Sequence, residues 1–231
     1  MSAYDTNSVF PLLLHEDSES SQSSFESDHK VNFSSLFLKM LFNALRIQYF
    51  DAQNFPTELT HYDIFNYLYA VLHSPTYRSR YSEFLKLDFP RIPLVADLEF
   101  FHLLANKGQE LIALHLLESK KLNNPICEFI GRQNHEIEKI SWSRNTVWID
   151  KKQTIGFSGV SEEIWNFHVG GYQVCDKWLK DRKGRQLVIG EIIHYQKVVV
   201  ALSETVNSMK EIDDLIEKFG GWPKAFVSVV A

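Results

Sequence analysis

The sequence lacks the features that mark secreted, membrane or disulfide-rich proteins. Its only two cysteines, Cys127 and Cys175, lie far apart and form no CxxC pair, so neither a disulfide framework nor a zinc cluster is indicated. No apolar run approaches the roughly 18 residues that a membrane-spanning helix needs. No secretory signal is seen either. We therefore expect a cytoplasmic protein without a membrane partner.

Common catalytic motifs are also missing. There is no GxxxxGKS/T phosphate-binding loop, no GxSxG nucleophile turn and no HExxH metal motif. The nearest approach to the tetrapeptide of an amino-methyltransferase is NNPI, Asn123–Ile126, which has one proline and no aromatic ring. The nine histidines show no ligand spacing. These absences predict no catalytic residue, no metal site and no cofactor in this chain.

One enzymatic alternative remains open. A magnesium-dependent nuclease needs an acidic pair and a lysine, and Asp150, Lys151 and Glu191 could supply them. Acids and lysines fall at such spacings by chance in most proteins, so the signal is weak. The sequence favours binding over catalysis.

The charge is acidic overall but unevenly distributed. The formal net charge is −5, and residues 1–30 hold six carboxylates against Lys30 alone, so this segment accounts for the whole excess. Basic and acidic side chains balance in the rest of the chain. A balanced body can carry a basic face, so the overall charge does not exclude DNA as a partner.

Hydrophobic periodicity predicts an α+β fold in three parts. Residues 1–32 are predicted to form a strand around SVFPLLLHE, Ser8–Glu16, followed by an acidic, serine-rich mobile loop. Residues 33–122 are predicted to be helical. Residues 123–231 are predicted to hold a small antiparallel sheet, a basic helix and a long C-terminal helix.

Capping signals mark where the helices begin. Ser34 or Ser35 starts a helix that ends at Leu45, Thr60 precedes a second helix, and Ser74 with Pro75 starts a third. The apolar face of the first helix is predicted to carry Leu36, Phe37, Met40, Leu41 and Ala44. The third helix is predicted to bury Tyr77, Tyr81, Phe84 and Leu85.

Two longer helices follow. The first is predicted from Asp97 to Ser119, although Gly108 within it weakens the prediction. The second runs from about Gly190 to Phe219, with an apolar seam that Asp213 interrupts. Between them, β-branched and aromatic residues predict three short strands, EKISWS, NTVWID and QTIGFSG.

A run of basic residues follows the predicted sheet, and we call it the basic run: Lys177, Lys180, Arg182, Lys183 and Arg185. Cations near a helix C-terminus complement the helix dipole, which explains part of the pattern. Lysine and arginine at the edge of a small sheet also hold DNA phosphates, which is the alternative interpretation. We predict phosphate contacts from this run and from nearby residues of the sheet: Arg144, Lys151, Lys152, Lys177, Lys180, Arg182, Lys183 and Arg185.

The stretch HSPTYRSRYSEFLKLDFPRIP, His73–Pro93, sets aromatic rings beside arginines. Such a pattern serves single-strand binding in some proteins, but it equally describes a helix with one buried and one solvated face. Its arginines are predicted as secondary contacts to phosphates or to a neighbouring protein: Arg78, Arg80 and Arg91.

Two long stretches carry a resemblance to a known family. DIFNYLYAVLHSPTYRSRYSEFLKLDFPRIPL, Asp63–Leu94, and GVSEEIWNFHVGGYQVCDKWLKDRKGR, Gly159–Arg185, resemble the C-terminal specificity region of type ISP restriction-modification enzymes. These single polypeptides join a nuclease, a helicase-like ATPase, an adenine-specific DNA methyltransferase and a target recognition domain. The resemblance covers nearly the whole chain.

The resemblance implies that residues 1–231 form one target-recognition unit that binds double-stranded DNA. Catalysis would come only from an associated adenine-specific methyltransferase, which would hold S-adenosylmethionine, and a nuclease. Because the chain begins just before the recognition region, we expect a separated or truncated C-terminal portion. The resemblance assigns no base contact to any residue.

A different function remains possible on the same resemblance. The chain could be a protein-interaction module, or a remnant, that docks a methyltransferase without binding DNA by itself. The apolar seam of the last helix is then the predicted docking surface.

Overall fold

A computed structural model describes residues 9–15, 29–48, 55–132 and 136–227. It combines a helix-rich first half, a small antiparallel sheet and a long last helix, which confirms the predicted α+β class. The chain divides into two compact units: unit 1, Met1–Gln109 with Ile212–Ala231, and unit 2, Glu110–Glu211. That the whole chain acts as one target-recognition unit stays a prediction.

Unit 1 begins with a pair of short strands. β1, Leu13–His15, confirms the predicted N-terminal strand, and it pairs antiparallel with β2, His29–Val31, which the sequence pattern had not indicated. Leu14 lies opposite Lys30. The predicted acidic, serine-rich loop lies outside the described residues.

Four helices follow in unit 1: α1, Ser35–Leu45; α2, His61–His73; α3, Pro75–Arg80; and α4, Ser82–Leu87. The starts of α1, α2 and α3 confirm the predicted caps, whereas the predicted third helix divides at Tyr81 into α3 and α4, and α4 has no side-chain cap. Ser34 Oγ accepts from Phe37 N, and Thr60 forms a reciprocal capping box with Asp63. Ser74 Oγ accepts from Tyr77 N at 3.0 Å, with proline at the first helical position.

The predicted buried faces were wrong in two places. α1 buries Leu38, Leu41, Phe42 and Leu45, whereas Leu36 is 69 % exposed. Phe84, predicted to be buried, is 71 % exposed. Both sets of α1 residues recur at helical spacing, so periodicity identifies a helix without deciding which stripe packs inward.

Asp97 precedes helix α5, Leu98–His115, and its carboxylate accepts from Phe100 N at 2.8 Å. Its glycine, Gly108, packs against the backbone of α2. A methyl group at this position would lie 1.8 Å from the carbonyl oxygen of Asn66. The residue that weakened the helix prediction is therefore the one that permits the close approach of two helices.

Asp213 of the last helix, α8, Ile189–Lys218, caps helix α3 within unit 1. Its carboxylate accepts from Ser74 Oγ, from Thr76 N at 3.0 Å and from Thr76 Oγ1 at 2.7 Å. Ile212 beside it is fully buried and continues the apolar seam. Asp213, which interrupts the seam in the sequence, therefore joins α8 to the start of α3 by hydrogen bonds. After α8, Gly220 and Gly221 have positive φ and end the helix as expected.

The sheet lies in unit 2 and has the strand order β3-β6-β5-β4, all antiparallel. Its strands are β3, Glu128–Ile130; β4, Ser141–Ser143; β5, Thr146–Trp148; and β6, Gly156–Ser158. The three predicted strands are confirmed and β3 is additional. Register aligns one apolar row across the sheet, Trp142, Val147, Phe157 and Phe129.

This row packs into the core of unit 2 with helices α6, Glu162–Trp165, α7, Val174–Lys180, and the first part of α8. From α8 the core takes Ile192, Tyr195, Val199 and Leu202. The apolar seam of the last helix is thus buried within this chain, so the prediction that it forms a docking surface was wrong. A two-stranded hairpin, β7, His168–Val169, and β8, Tyr172–Gln173, precedes α7 and turns at Gly170 and Gly171.

Candidate nucleic-acid interface

One segment of unit 2, residues 136–139, connects the basic run to the sheet. Ile137 exchanges backbone hydrogen bonds with Gly184 and Arg185, at 3.0 and 3.2 Å. On its other side, Glu138 N and Lys139 N both donate to the carbonyl of Ile149, at 2.9 and 3.2 Å. The end of the basic run therefore lies beside the turn that joins β5 to β6.

Six cations meet at this end of the sheet, which we call the basic end: Arg132, Lys139, Lys151, Lys152, Lys183 and Arg185. All six are exposed. Arg185 forms an ion pair with Glu191, whereas the other five form none with any residue that the structure describes. Unpaired cations at one end of the sheet can approach a polyanion without first breaking an ion pair within the protein.

Asp150 holds the Lys151–Lys152 turn in place. Its carboxylate accepts from Thr154 N and Oγ1, both at 2.9 Å, and from Ile155 N at 3.0 Å. Burial of the carboxyl group favours its neutral form, but these hydrogen bonds outweigh burial and lower the pKa of Asp150 below its usual value. The buried aspartate thus fixes the backbone from which the two lysines project.

The two lysines of α7 differ from those of the basic end because both are neutralised along the helix. Lys177 pairs with Asp181, and Lys180 pairs with Asp176 at 2.6 Å, each four residues apart. Exposed pairs of this kind contribute little to stability. They do cancel the local positive charge, so α7 is less basic than its sequence indicates.

Arg182, in the loop that follows α7, makes contacts within this chain. Its guanidinium lies 3.6 Å from the ring centre of Trp178, donates to the Trp178 carbonyl at 2.9 Å and pairs with Glu191 at 3.2 Å. Only a quarter of its side chain is exposed. Its predicted phosphate contact stays a prediction.

Glu191 gathers three donors. Arg185 and Arg182 both donate to its Oε1, at 2.6 and 3.2 Å, and Val188 N donates to its Oε2 at 3.2 Å. Burial raises the pKa of this carboxyl group, but the hydrogen bond from Val188 N and the two arginines more than offset that and lower it below the usual value. Glu191 is therefore an ionised anchor for the loop that carries Lys183 and Arg185.

The nuclease alternative proposed from the sequence relied on Asp150 and Glu191. Each carboxylate is occupied by donors of its own chain. Over the described ranges, no group of three His, Cys, Asp or Glu side chains is placed to hold a metal ion.

Arg144 lies away from the basic end. It occupies the turn between β4 and β5, whereas Lys151 and Lys152 follow β5, so the whole strand, about 10 Å at 3.3 Å per residue, lies between them. The structure therefore brings Lys151, Lys152, Lys183 and Arg185 together and places Arg144 at the opposite end of the sheet.

The three secondary arginines belong to unit 1. Arg78 donates through Nε to the carbonyl of Leu72 at 2.7 Å, and the almost fully exposed Arg91 lies 3.7 Å from Asp88. Arg80 is exposed at the end of α3. Their predicted contacts to phosphates or protein stay predictions.

Unit 1 exposes apolar side chains before β1 and in the stretch that carries these arginines, and we call them the apolar patch: Val9, Phe10, Phe84, Leu87 and Phe89. Phe10 meets Phe89 edge to face, with ring centres 5.6 Å apart. A groove of about 560 Å³ lies beside them, with walls that include Tyr77, Tyr81, Leu85 and Val227. Exposed apolar side chains beside an apolar groove are typical of a binding surface.

Sequence reasoning missed Arg132 and Lys139. Arg132 follows β3, a strand that was not recognised, and Lys139 was assigned to the strand that begins only at Ser141. Recognising ICEFI, Ile126–Ile130, as a fourth strand would have placed Arg132 at the same end of the sheet as Lys151.

The two cysteines are buried, and burial raises the pKa of Cys127 to about 12. Over the same described residues, no helix is both long and apolar enough to cross a membrane.

Comparison with known proteins identifies the family. The sequence profile of the Type ISP C-terminal specificity domain matches residues 1–211, most of the chain. The chain belongs to the Type ISP C-terminal specificity domain family. No curated protein matches it at a significant level.

Solved structures show the same fold for this specificity domain. A Type ISP enzyme, LlaBIII bound to DNA, matches 87 % of the chain with 20 % identity and a TM-score of 0.60. A DrdV–DNA complex matches 82 % with 18 % identity and a TM-score of 0.59. A nuclease-deletion mutant of the Type ISP enzyme LlaGI, with a DNA substrate mimic, matches 66 % with 23 % identity and a TM-score of 0.50.

This specificity domain corresponds to a small part of each of those polypeptides. The match covers 13 % of the LlaBIII chain, 20 % of the DrdV chain and 14 % of the LlaGI chain.

Proposed function

We propose that this specificity domain recognises a DNA target site for a restriction-modification enzyme, and that its basic end holds the DNA backbone. Membership of the specificity-domain family supports the role, as do fold relatives whose structures contain DNA. The observation that carries the proposal is the basic end itself, where five unpaired cations from four separate segments meet. Lysines at such an edge contact phosphates through charge, without reading sequence.

Salt dependence tests the basic end directly. Each phosphate neutralised by a cation contributes about 0.9 to the slope of log affinity against log salt concentration. The triple variant Lys151→Ala, Lys152→Ala and Lys183→Ala should therefore reduce the slope by about 2 to 3 and weaken binding to all duplexes alike. Fluorescence anisotropy with labelled duplexes over a series of salt concentrations measures both quantities.

A matched control removes the same charge elsewhere. Lys39, Lys218 and Lys224 are exposed lysines of unit 1, and their triple replacement by alanine should leave the slope nearly unchanged. Lys177→Ala with Lys180→Ala provides a second comparison, because these lysines are already paired with carboxylates. If the basic-end triple keeps the wild-type slope, the phosphate contacts lie elsewhere and the proposal fails.

We further propose that the domain directs an adenine-specific DNA methyltransferase, together with a nuclease, on an upstream or partner polypeptide. The resemblance to type ISP enzymes supports this division of labour. The catalytic polypeptide would hold S-adenosylmethionine, and this chain would hold no cofactor. The fold relatives are five to eight times longer than the matched region, which leaves room in them for such parts.

A second candidate function is docking of that methyltransferase without independent DNA binding, and the apolar patch favours it. Phe84 and Phe89 are each about two-thirds exposed or more, and they adjoin an apolar groove. Phe84→Ser with Phe89→Ser should weaken the complex with the methyltransferase polypeptide at least tenfold in calorimetry, because large apolar side chains dominate such contacts. Leu116→Ser, a 61 % exposed residue of unit 2, is the control. An unchanged affinity would remove the patch from the interface.

A further inference from the structure

The turn between β4 and β5 has an unusual residue at its tip. Two residues, Arg144 and Asn145, join the strands, and both have positive φ, 50° and 56°. Two-residue hairpins with positive φ at both positions normally use Asn-Gly or Asp-Gly. Asparagine fits this conformation, whereas arginine is strained in it. Strained residues persist where the surrounding structure holds them and cluster at functional sites.

The surrounding structure holds this turn firmly. The carbonyl of Asn145 accepts from Gly159 N and Val160 N, both at 2.9 Å. Trp142 Nε1 in turn donates to the carbonyl of Val160 at 2.9 Å. The backbone of the tip is therefore tied to a neighbouring loop, and the turn does not depend on its own side chains.

The side chains of the tip are left for another molecule. Arg144 and Asn145 are both exposed, and neither side chain bonds to any described residue. An open recess of about 410 Å³ lies at the same end of the sheet, and its walls include Glu128, Ser158, Gly159 and Gln196. Gly159 connects recess and tip, since it donates to Asn145.

The chemistry of this end differs from that of the basic end. The basic end is rich in lysine, a point charge suited to phosphates. The tip presents a guanidinium fork and a carboxamide, the two groups that bind guanine and adenine edges with two hydrogen bonds each.

We propose that Arg144 and Asn145 are specificity-determining residues that read base edges in the major groove, while the basic end holds phosphates. This rests on the proposed DNA-recognition function. From the sequence, Arg144 was expected to contact the DNA backbone. Its separation from the basic end assigns it a different role. Rigid support of the turn fixes the backbone from which the two side chains project, so the backbone need not become ordered on binding.

The test compares the sequence preference of variants. The full chain selects duplexes from a random-sequence pool, and sequencing of the bound fraction gives the preferred site. Arg144→Lys keeps the charge but loses the fork. It should lower discrimination at one guanine position, by less than the roughly 5- to 150-fold that loss of a whole bidentate contact costs because lysine still donates to guanine, and leave the salt slope unchanged. A phosphate contact would tolerate lysine with its preference intact.

Two further variants separate reading from folding. Arg144→Gly suits the positive φ, so the turn survives, and the same guanine preference should be lost with no fall in melting temperature. Asn145→Asp keeps a residue that tolerates this conformation, and it should lose discrimination at a neighbouring adenine. Lys151→Ala with Lys152→Ala should instead weaken all sequences equally.

The outcomes separate this inference from the function on which it rests. If the wild-type chain binds no duplex, or binds without any sequence preference, the proposed recognition function fails and the inference fails with it. If the wild-type chain selects a site and the variants Arg144→Lys and Arg144→Gly select the same site equally well, the function stands and the reading role of the tip is overturned.

Discussion

Two helical glycines should respond in opposite directions to replacement by alanine. At Gly108 the new methyl carbon would lie 1.8 Å from the carbonyl oxygen of Asn66 and 2.6 Å from its carbon. Both atoms are backbone, so α2 and α5 must separate by more than an ångström. Overpacking of this kind costs about 1–3 kcal/mol, and two rigid backbone contacts favour the upper end. Alanine gains about 1 kcal/mol in helix propensity.

The expected net result for Gly108→Ala is a loss of about 2 kcal/mol in the free energy of unfolding. Gly190→Ala is the matched control, because Gly190 also lies in a helix but has no neighbour within 4 Å of the new methyl group. It should gain about 0.5–1 kcal/mol. Urea denaturation followed by circular dichroism gives both midpoints. A midpoint for Gly108→Ala at or above the wild-type value would refute the packing argument.

Further predictions concern Asp150. Asp150→Ala should destabilise unit 2 by about 2–4 kcal/mol, because it removes the carboxylate that accepts from three donors and leaves the buried Ile155 N without an acceptor. The rate of amide hydrogen exchange at Ile155 should rise. Unchanged protection of this amide would contradict the role of Asp150. The pKa of Asp150 is lowered, so its stabilisation is complete above the unfolded pKa near 4 and is lost as pH falls through the lower folded value. The difference between wild type and Asp150→Asn in denaturation midpoint should therefore shrink from pH 7 to pH 2.

Local signals in the sequence predicted the helices well. Ser34, Thr60 and Ser74 each accept a hydrogen bond from the backbone three residues ahead, as their positions before apolar periodic runs indicate. Gly220 and Gly221 end the last helix where expected. These features depend on contacts within a single turn, so neighbouring residues carry the information.

Strand pairing and charge pairing were harder to predict. β2 has no apolar alternation of its own and exists because β1 lies beside it, whereas β3 lies within an apolar stretch, ICEFI, that was not recognised as a strand. In the basic run, the pairing of Lys180 with Asp176 depends on helical spacing, and that of Arg182 with Glu191 depends on the fold.

By itself the sequence determined the α+β class, the starts and ends of most helices, and the family to which the chain belongs. Only the tertiary structure decided which cations stay free, because charge is local in sequence but pairing depends on distance in space. It joined Arg132, Lys139, Lys151, Lys152 and Lys183 at one end of the sheet and placed Arg144 at the other. It also turned Gly108 and Asp213 from interruptions of a helical pattern into contacts between elements.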